Sequence, residues 1–172
     1  MSRLKVIDDA LMDGVREEAR QSPRHRHIHR FHEHDERVQR MIHCVEPESY
    51  VRPHRHQDPD QVELFVALRG KALVIEFDDH GAILDSITIA ARGGARGVEI
   101  PPRTWHMVLA IEPGTTLLEI AEGPYDEATH KRWPSWAPPE GVSGTSRFMV
   151  EIRRQLGIGS SPAEDLSEDG VG

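Results

Sequence analysis

The sequence predicts an all-β fold: a small antiparallel jelly roll, with one helix before it and a short one after it. Three observations predict this. Between residues 37 and 121 the chain divides into about eight short runs of apolar or alternating residues, the signature of strands. Turn signals separate them, among them Glu46-Pro-Glu-Ser49, Asp78-Asp-His-Gly81 and Glu112-Pro-Gly114. No helical period interrupts the series, so the strands pair with each other rather than through crossover helices.

Taken in order, residues 3–7 read as a short strand. Asp8 or Asp9 caps a helix running to about Arg20, because Leu11, Val15 and Ala19 recur every four residues with Met12 beside them. Ser22-Pro23 ends it. Residues 24–34 hold five of the eleven histidines. His25, His27 and His29 alternate, so a strand would put them on one face, while a solvated basic segment is the simpler expectation for His25, His27 and His34. Strands follow at 37–45, at Tyr50 to His56, at Glu63 to Arg69 and at Ala72 to Phe77. Ile83 to Ala90, Gly97 to Ile100, Thr104 to Ile111 and Thr115 to Ala121 complete the set. After Gly123-Pro124 the chain turns loop-like, with Trp133 and Trp136 expected to lie over the core or against a neighbouring subunit. Phe148, Ile152 and Leu156, spaced by four, mark a second helix over about 146–156.

The chemistry concentrates in two fragments. On a strand, side chains two apart share a face, so His54 and His56 point the same way. A polar turn with Pro59 follows, then Glu63 as the one acid at the start of an apolar strand. A hairpin across that turn would bring Glu63 beside the histidines. A lone carboxylate in an apolar strand needs a partner, because an unpaired buried charge is costly. His106, after Pro101-Pro102, completes a set of three imidazoles and one carboxylate, the donor set of a divalent transition metal. Fe, Mn, Ni and Zn all suit it. Cys44 sits in an apolar run and reads as a small buried hydrophobe.

His54-x-His56, Glu63 and Gly70 resemble the first motif of the cupins, and Gly97-x-x-x-Pro101 with His106 resembles the second. Six residues, Gln57 to Val62, separate His56 from Glu63, longer than that family's usual spacing. Arg103 stands where its motif has glycine. Within the cupins the chain is most similar to the WbuC-type cupin-fold metalloproteins. That similarity rests on Ser22-Pro23-Arg24, His29, Phe31-His32, Val38-Gln39-Arg40, Glu46-Pro47, Val51 to His56, Glu63 to Val66, Arg69-Gly70, Arg96 to Pro101 and Gly123 to Asp126. Ile28 and Arg30 replace asparagines frequent in that family near its Phe-His pair. The resemblance implies a cupin-type jelly-roll β-barrel and one divalent metal held by His54, His56, Glu63 and His106. It also implies a small-molecule substrate, a sugar or sugar nucleotide of surface-polysaccharide metabolism. His29, His32 and Arg52 are expected to bind the ligand at the mouth of the cavity. Two other classes stay open: a non-catalytic small-ligand-binding or sensing cupin, and a metal-dependent dioxygenase. A structural cupin without metal is a further alternative.

At 172 residues the chain can form one compact domain. The expected layout is an N-terminal helix and His-rich arm (1–36), the barrel (37–125), a C-terminal loop and helix (126–158), and a disordered acidic tail (159–172). The net charge of −8 argues against a nucleic-acid partner. Cys44 is the one cysteine, which excludes an intrachain disulfide and fits a reducing compartment. With neither a signal-peptide core nor a membrane-length apolar run, a soluble, cytoplasmic protein is expected. A homodimer is compatible with the two tryptophans of the C-terminal loop.

Overall fold

The computed structural model describes residues 3–159. Helix α1 spans Asp9–Gln21, and Asp8 caps it, its side chain accepting from the Leu11 N–H at 2.9 Å. Eight strands follow: β1 (Arg26–Arg30), β2 (Val38–Val45), β3 (Glu63–Arg69), β4 (Lys71–Phe77), β5 (Ile83–Ala90), β6 (Gly97–Ile100), β7 (Trp105–Ala110) and β8 (Thr115–Glu122). Helix α2 spans Thr145–Gln155. A five-stranded sheet has the order β1-β2-β8-β3-β6 and a three-stranded sheet the order β5-β4-β7, with every ladder antiparallel. The fold is the expected all-β jelly-roll sandwich with two flanking helices.

Three apolar layers hold it. Between the sheets lie Phe65, Ala72, Val74, Ile89, Val108 and Leu117. Outside the large sheet, Val15 and Ala19 of α1 pack on Ile42 and Cys44. Outside the small sheet, Met149 and Ile152 of α2 pack with Leu73, Ile75, Met107 and Leu109. Strands β4 and β7 are therefore buried on both faces, which is why they read as nearly continuous apolar runs.

Three expectations change. Residues 3–7 form no strand, and Leu4 and Val6 are exposed. Residues 26–30 do form one, as the outermost strand of the large sheet. Tyr50 to His56 is not a strand; it is extended chain with isolated bridges from His54 to His106 and from Arg55 to Arg132. Pro53 lacks the N–H that a ladder needs. From residue 160 on, the acidic tail lies outside the described residues. No helix among them is long and apolar enough to cross a membrane.

Candidate metal centre and cavity

His54, His56, Glu63 and His106 come together, each offering a ligand atom, with all four atoms within 4.8 Å of one another. All four residues are at most 3% exposed. They arrive from separate elements. Glu63 opens β3 in the large sheet, and His106 is the second residue of β7 in the small one. In the 50–56 segment, His54 is fixed by reciprocal backbone bonds with His106, at 3.0 and 2.9 Å, and His56 O accepts from the Arg103 N–H at 2.9 Å.

The outer nitrogens of the rings settle their orientation. Nδ1 of His54 donates to Arg52 O (3.0 Å), that of His56 to His130 O (2.7 Å), and that of His106 to Thr104 O (2.9 Å). A carbonyl oxygen can only accept, so each Nδ1 carries the proton and each Nε2 lone pair points at the group. Nε2 of His54 and of His56 are buried without a hydrogen-bond partner. His106 Nε2 lies 3.0 Å from Glu63 Oε2, and His56 Nε2 lies 3.4 Å from the same oxygen. Burial pushes the Glu63 carboxyl up, while hydrogen bonds from the His106 and His56 Nε2 atoms, made when those atoms carry a proton, hold it well below the usual carboxylate range; a cation at the same place would take the part of those protons. Burial, with Lys131 nearby, holds His54 well below its usual value, so it is neutral at pH 7. Three convergent imidazoles, two with orphaned lone pairs, and an ionised carboxylate fit a divalent transition metal.

The long turn to Glu63 and the Arg103 position are accommodated together. Arg103 has φ +67°, the left-handed conformation that favours glycine, so the turn before His106 keeps a glycine-like backbone. Its N–H donates to His56 O (2.9 Å) and its guanidinium to Asp60 (2.9 Å), tying this turn to the 57–62 loop.

A cavity of about 350 Å³ adjoins the group. Arg52 and His32 border it; His29 does not. His29 lies with its ring edge-on to Phe31 at 4.9 Å. The alternation along β1 holds, but its inner face belongs to Arg26, Ile28 and Arg30, because α1 covers the outer face. His32 Nδ1 accepts from the Arg40 N–H at 2.7 Å. Arg52 is held by the C-terminal loop: its Nη2 donates to Pro134 O (3.0 Å) and Ala137 O (3.1 Å), and its guanidinium lies 5.2 Å from the Trp133 ring centroid.

That loop supplies residues that sequence reasoning missed. His130 and Lys131 line the cavity, and the His130 ring lies 4.7 Å from that of His56. Burial, with Lys131 and His56 nearby, pulls His130 down to about 3. The buried pair of His43 and Glu119, at 2.9 Å, and the pair of Arg26 and Glu140, at 2.6 Å, also lie along the cavity. The one signal available was that His130 follows closely on the Gly123 to Asp126 segment.

A family model, "Domain of unknown function (DUF6016)", matches residues 7–89, which include His54, His56 and Glu63 but not His106. No curated protein matches the chain. Among solved structures, TT1209 from Thermus thermophilus shares 16% identity over 69% of this chain and 97% of its own, with a TM-score of 0.51. The capsular polysaccharide assembling protein CapF from Staphylococcus aureus shares 17% over 66% of this chain, with a TM-score of 0.50. The match spans 32% of the CapF chain, so it concerns about a third of that protein. A cupin superfamily protein from Desulfitobacterium hafniense DCB-2 also matches, at 14% identity over 56% of this chain and 76% of its own, with a TM-score of 0.44. The likenesses to TT1209 and CapF are of fold.

Proposed function

We propose that the protein binds one divalent transition metal through His54, His56, Glu63 and His106, and acts with it on a small polar substrate such as a sugar or sugar nucleotide. The observation that carries this reading is the convergence of three buried Nε2 atoms and one buried carboxylate beside a cavity. When bound, such a metal acts as a Lewis acid on a carbonyl or hydroxyl oxygen. The chain's own residues do the rest. The three carbonyls behind the imidazoles hold each ring in its ligating tautomer. Arg30 and Lys131 border the cavity and form no ion pair among the described residues, which favours a ligand carrying phosphate or carboxylate. The volume suits a ligand of about monosaccharide size, at the small end of ligand cavities. A nucleotide attached to such a sugar would extend past the mouth. The assignment to surface-polysaccharide metabolism rests on the WbuC-type sequence resemblance.

Elemental analysis tests the metal. The wild type should carry about one transition metal per chain, as expected for one site with four ligands. His54→Ala, His56→Ala and His106→Ala should each lose it, and undiminished metal in all three would overturn the reading. Incubating metal-loaded protein with a panel of sugar phosphates, alongside oxygen-uptake measurements, separates hydrolytic or isomerising chemistry from dioxygenation and from ligand holding without turnover.

A further inference from the structure

The inner wall of the large sheet carries a second polar pair that the metal centre does not use. His43 on β2 and Glu119 on β8 both line the cavity and are 6% and 8% exposed. They are not opposite one another. Across the β2–β8 ladder His43 faces Leu117 and Glu119 faces Met41, so the two meet on a diagonal. There His43 Nδ1 donates to Glu119 Oε2 at 2.9 Å. That bond fixes the tautomer and leaves the ring's remaining lone pair on Nε2. Nε2 is buried and has no hydrogen-bond partner among the described residues. Buried polar atoms of that kind are uncommon, and at a cavity wall the missing partner is a ligand group or water.

The placement sets the kind of ligand. Glu63 pairs with Ala121, two residues along β8 from Glu119, and β2 lies one strand further out. His43 itself pairs with Leu117, four residues along β8 from Ala121, so at roughly 4.8 Å between strands and 3.4 Å per residue its Cα stands about 17 Å from that of Glu63, a span that His43 shortens by leaning along β8 to Glu119. One small ligand reaches both only if it is extended. The other charged groups bordering this stretch are Arg26, which Glu140 neutralises at 2.6 Å, and Arg30.

We propose that His43 is the proton acceptor of this cavity and Glu119 its positioning residue, and that together they serve the hydroxyl of an extended anionic polyol, of the sugar-acid class, whose other end sits at the metal centre. In the step, the ligand O–H bond breaks and its electron pair stays on the oxygen. The proton passes to His43 Nε2, and the Glu119 carboxylate stabilises the imidazolium. The proposal depends on the metal reading only for where the far end of the ligand is held.

The test is long-range proton–nitrogen NMR on ¹⁵N-histidine-labelled protein at neutral pH, with D-gluconate as the probe. His43 should show a protonated Nδ1 and a bare Nε2 in the wild type, and Glu119→Gln should lose that single tautomer. Gluconate should move the His43 Nε2 resonance in zinc-loaded protein and leave it unmoved in metal-free protein. Zinc uptake should be the same in Glu119→Gln as in the wild type. A wild-type proton on Nε2, or a resonance that stays put up to the highest gluconate concentration, overturns the proposal and leaves a structural β2–β8 bridge. A wild type that takes up no zinc overturns the metal reading instead. The wild-type tautomer, and its loss in Glu119→Gln, then still decide the role of His43.

Discussion

Arg52, expected to bind ligand, borders the cavity, and its contacts also tie it to the C-terminal loop. Its Nη2 holds two carbonyls of the C-terminal loop, Pro134 O and Ala137 O, and its guanidinium lies over Trp133. Hydrogen bonds to a charged group contribute about 1.5–3 kcal/mol each. A cation–π contact at a half-exposed site adds about 0.5–1 kcal/mol. Trp133 is 49% exposed, so the lower ends apply, and the released carbonyls can partly rehydrate. Arg52→Ala should therefore cost about 3 kcal/mol. For a chain of this size that lowers Tm by roughly 6–12 °C. The loop also presents His130 O to His56 Nδ1 at 2.7 Å. Loosening it should weaken metal binding by about tenfold, the lower end for groups that orient a metal ligand. Arg52→Lys, which keeps the charge but not the fork, should fall between the two. Calorimetry on metal-free and metal-loaded protein, with a competition assay for metal affinity, reads both effects. A variant that melts within about 2 °C of the parent, yet binds ligand more weakly, would refute the stabilising tie to the C-terminal loop and leave Arg52 as a ligand-binding group.

Two further outcomes follow from the same geometry. His130 is held down to about 3 in the folded protein by burial, Lys131 and His56, against an ordinary value of 6.5. The unfolded chain thus takes up this proton first, so stability should fall as pH drops below about 6.5 and stop falling near 3. In metal-free protein, urea midpoints at neutral and mildly acid pH should differ less for His130→Gln than for the wild type; equal differences would remove His130 as a cause. Gly81 has φ +89°, and a Cβ there would meet the Trp136 ring at 2.7 Å. Gly81→Ala should therefore destabilise the fold by more than about 1 kcal/mol, and a thermal melt unchanged from the parent would count against the packing of Trp136 on the β4–β5 turn.

The strand ladder was legible because its signals are local. The β5 and β6 bounds, Ile83–Ala90 and Gly97–Ile100, follow from alternation and flanking turns alone. So did a helix cap at Asp8 or Asp9, of which Asp8 is the cap, and Glu63 as the one acid in an apolar strand. What sequence could not show depended on a partner. His27 and His29 share a face, as their spacing requires, but which face is inner was decided by α1 packing on the other side. Tyr50 to His56 carries strand-like residues, yet β7 already pairs with β4 and meets this segment only at His54. His43 with Glu119 and Arg26 with Glu140 are separated by 76 and 114 residues, far beyond any local pattern.

The two sheets divide the labour of the cavity, and their coverings explain how. The small sheet is sealed outside by α2 and by Trp136 against Phe77, so β4 and β7 have apolar partners on both faces. They supply the cavity lining with Val108 and the candidate metal group with His106. The large sheet is covered by α1 over β1 and β2 on its outer side, and its inner side is free to carry Gln39, His43, Glu63 and Glu119. A ligand would thus meet a polar wall on one side and an apolar one on the other. The candidate metal centre is where these walls join, because Glu63 belongs to one sheet, His106 to the other, and His54 and His56 to the segment that bridges to β7 at His106. A cation bound there would link the two sheets directly, so metal uptake and the rigidity of the cavity are one event rather than two.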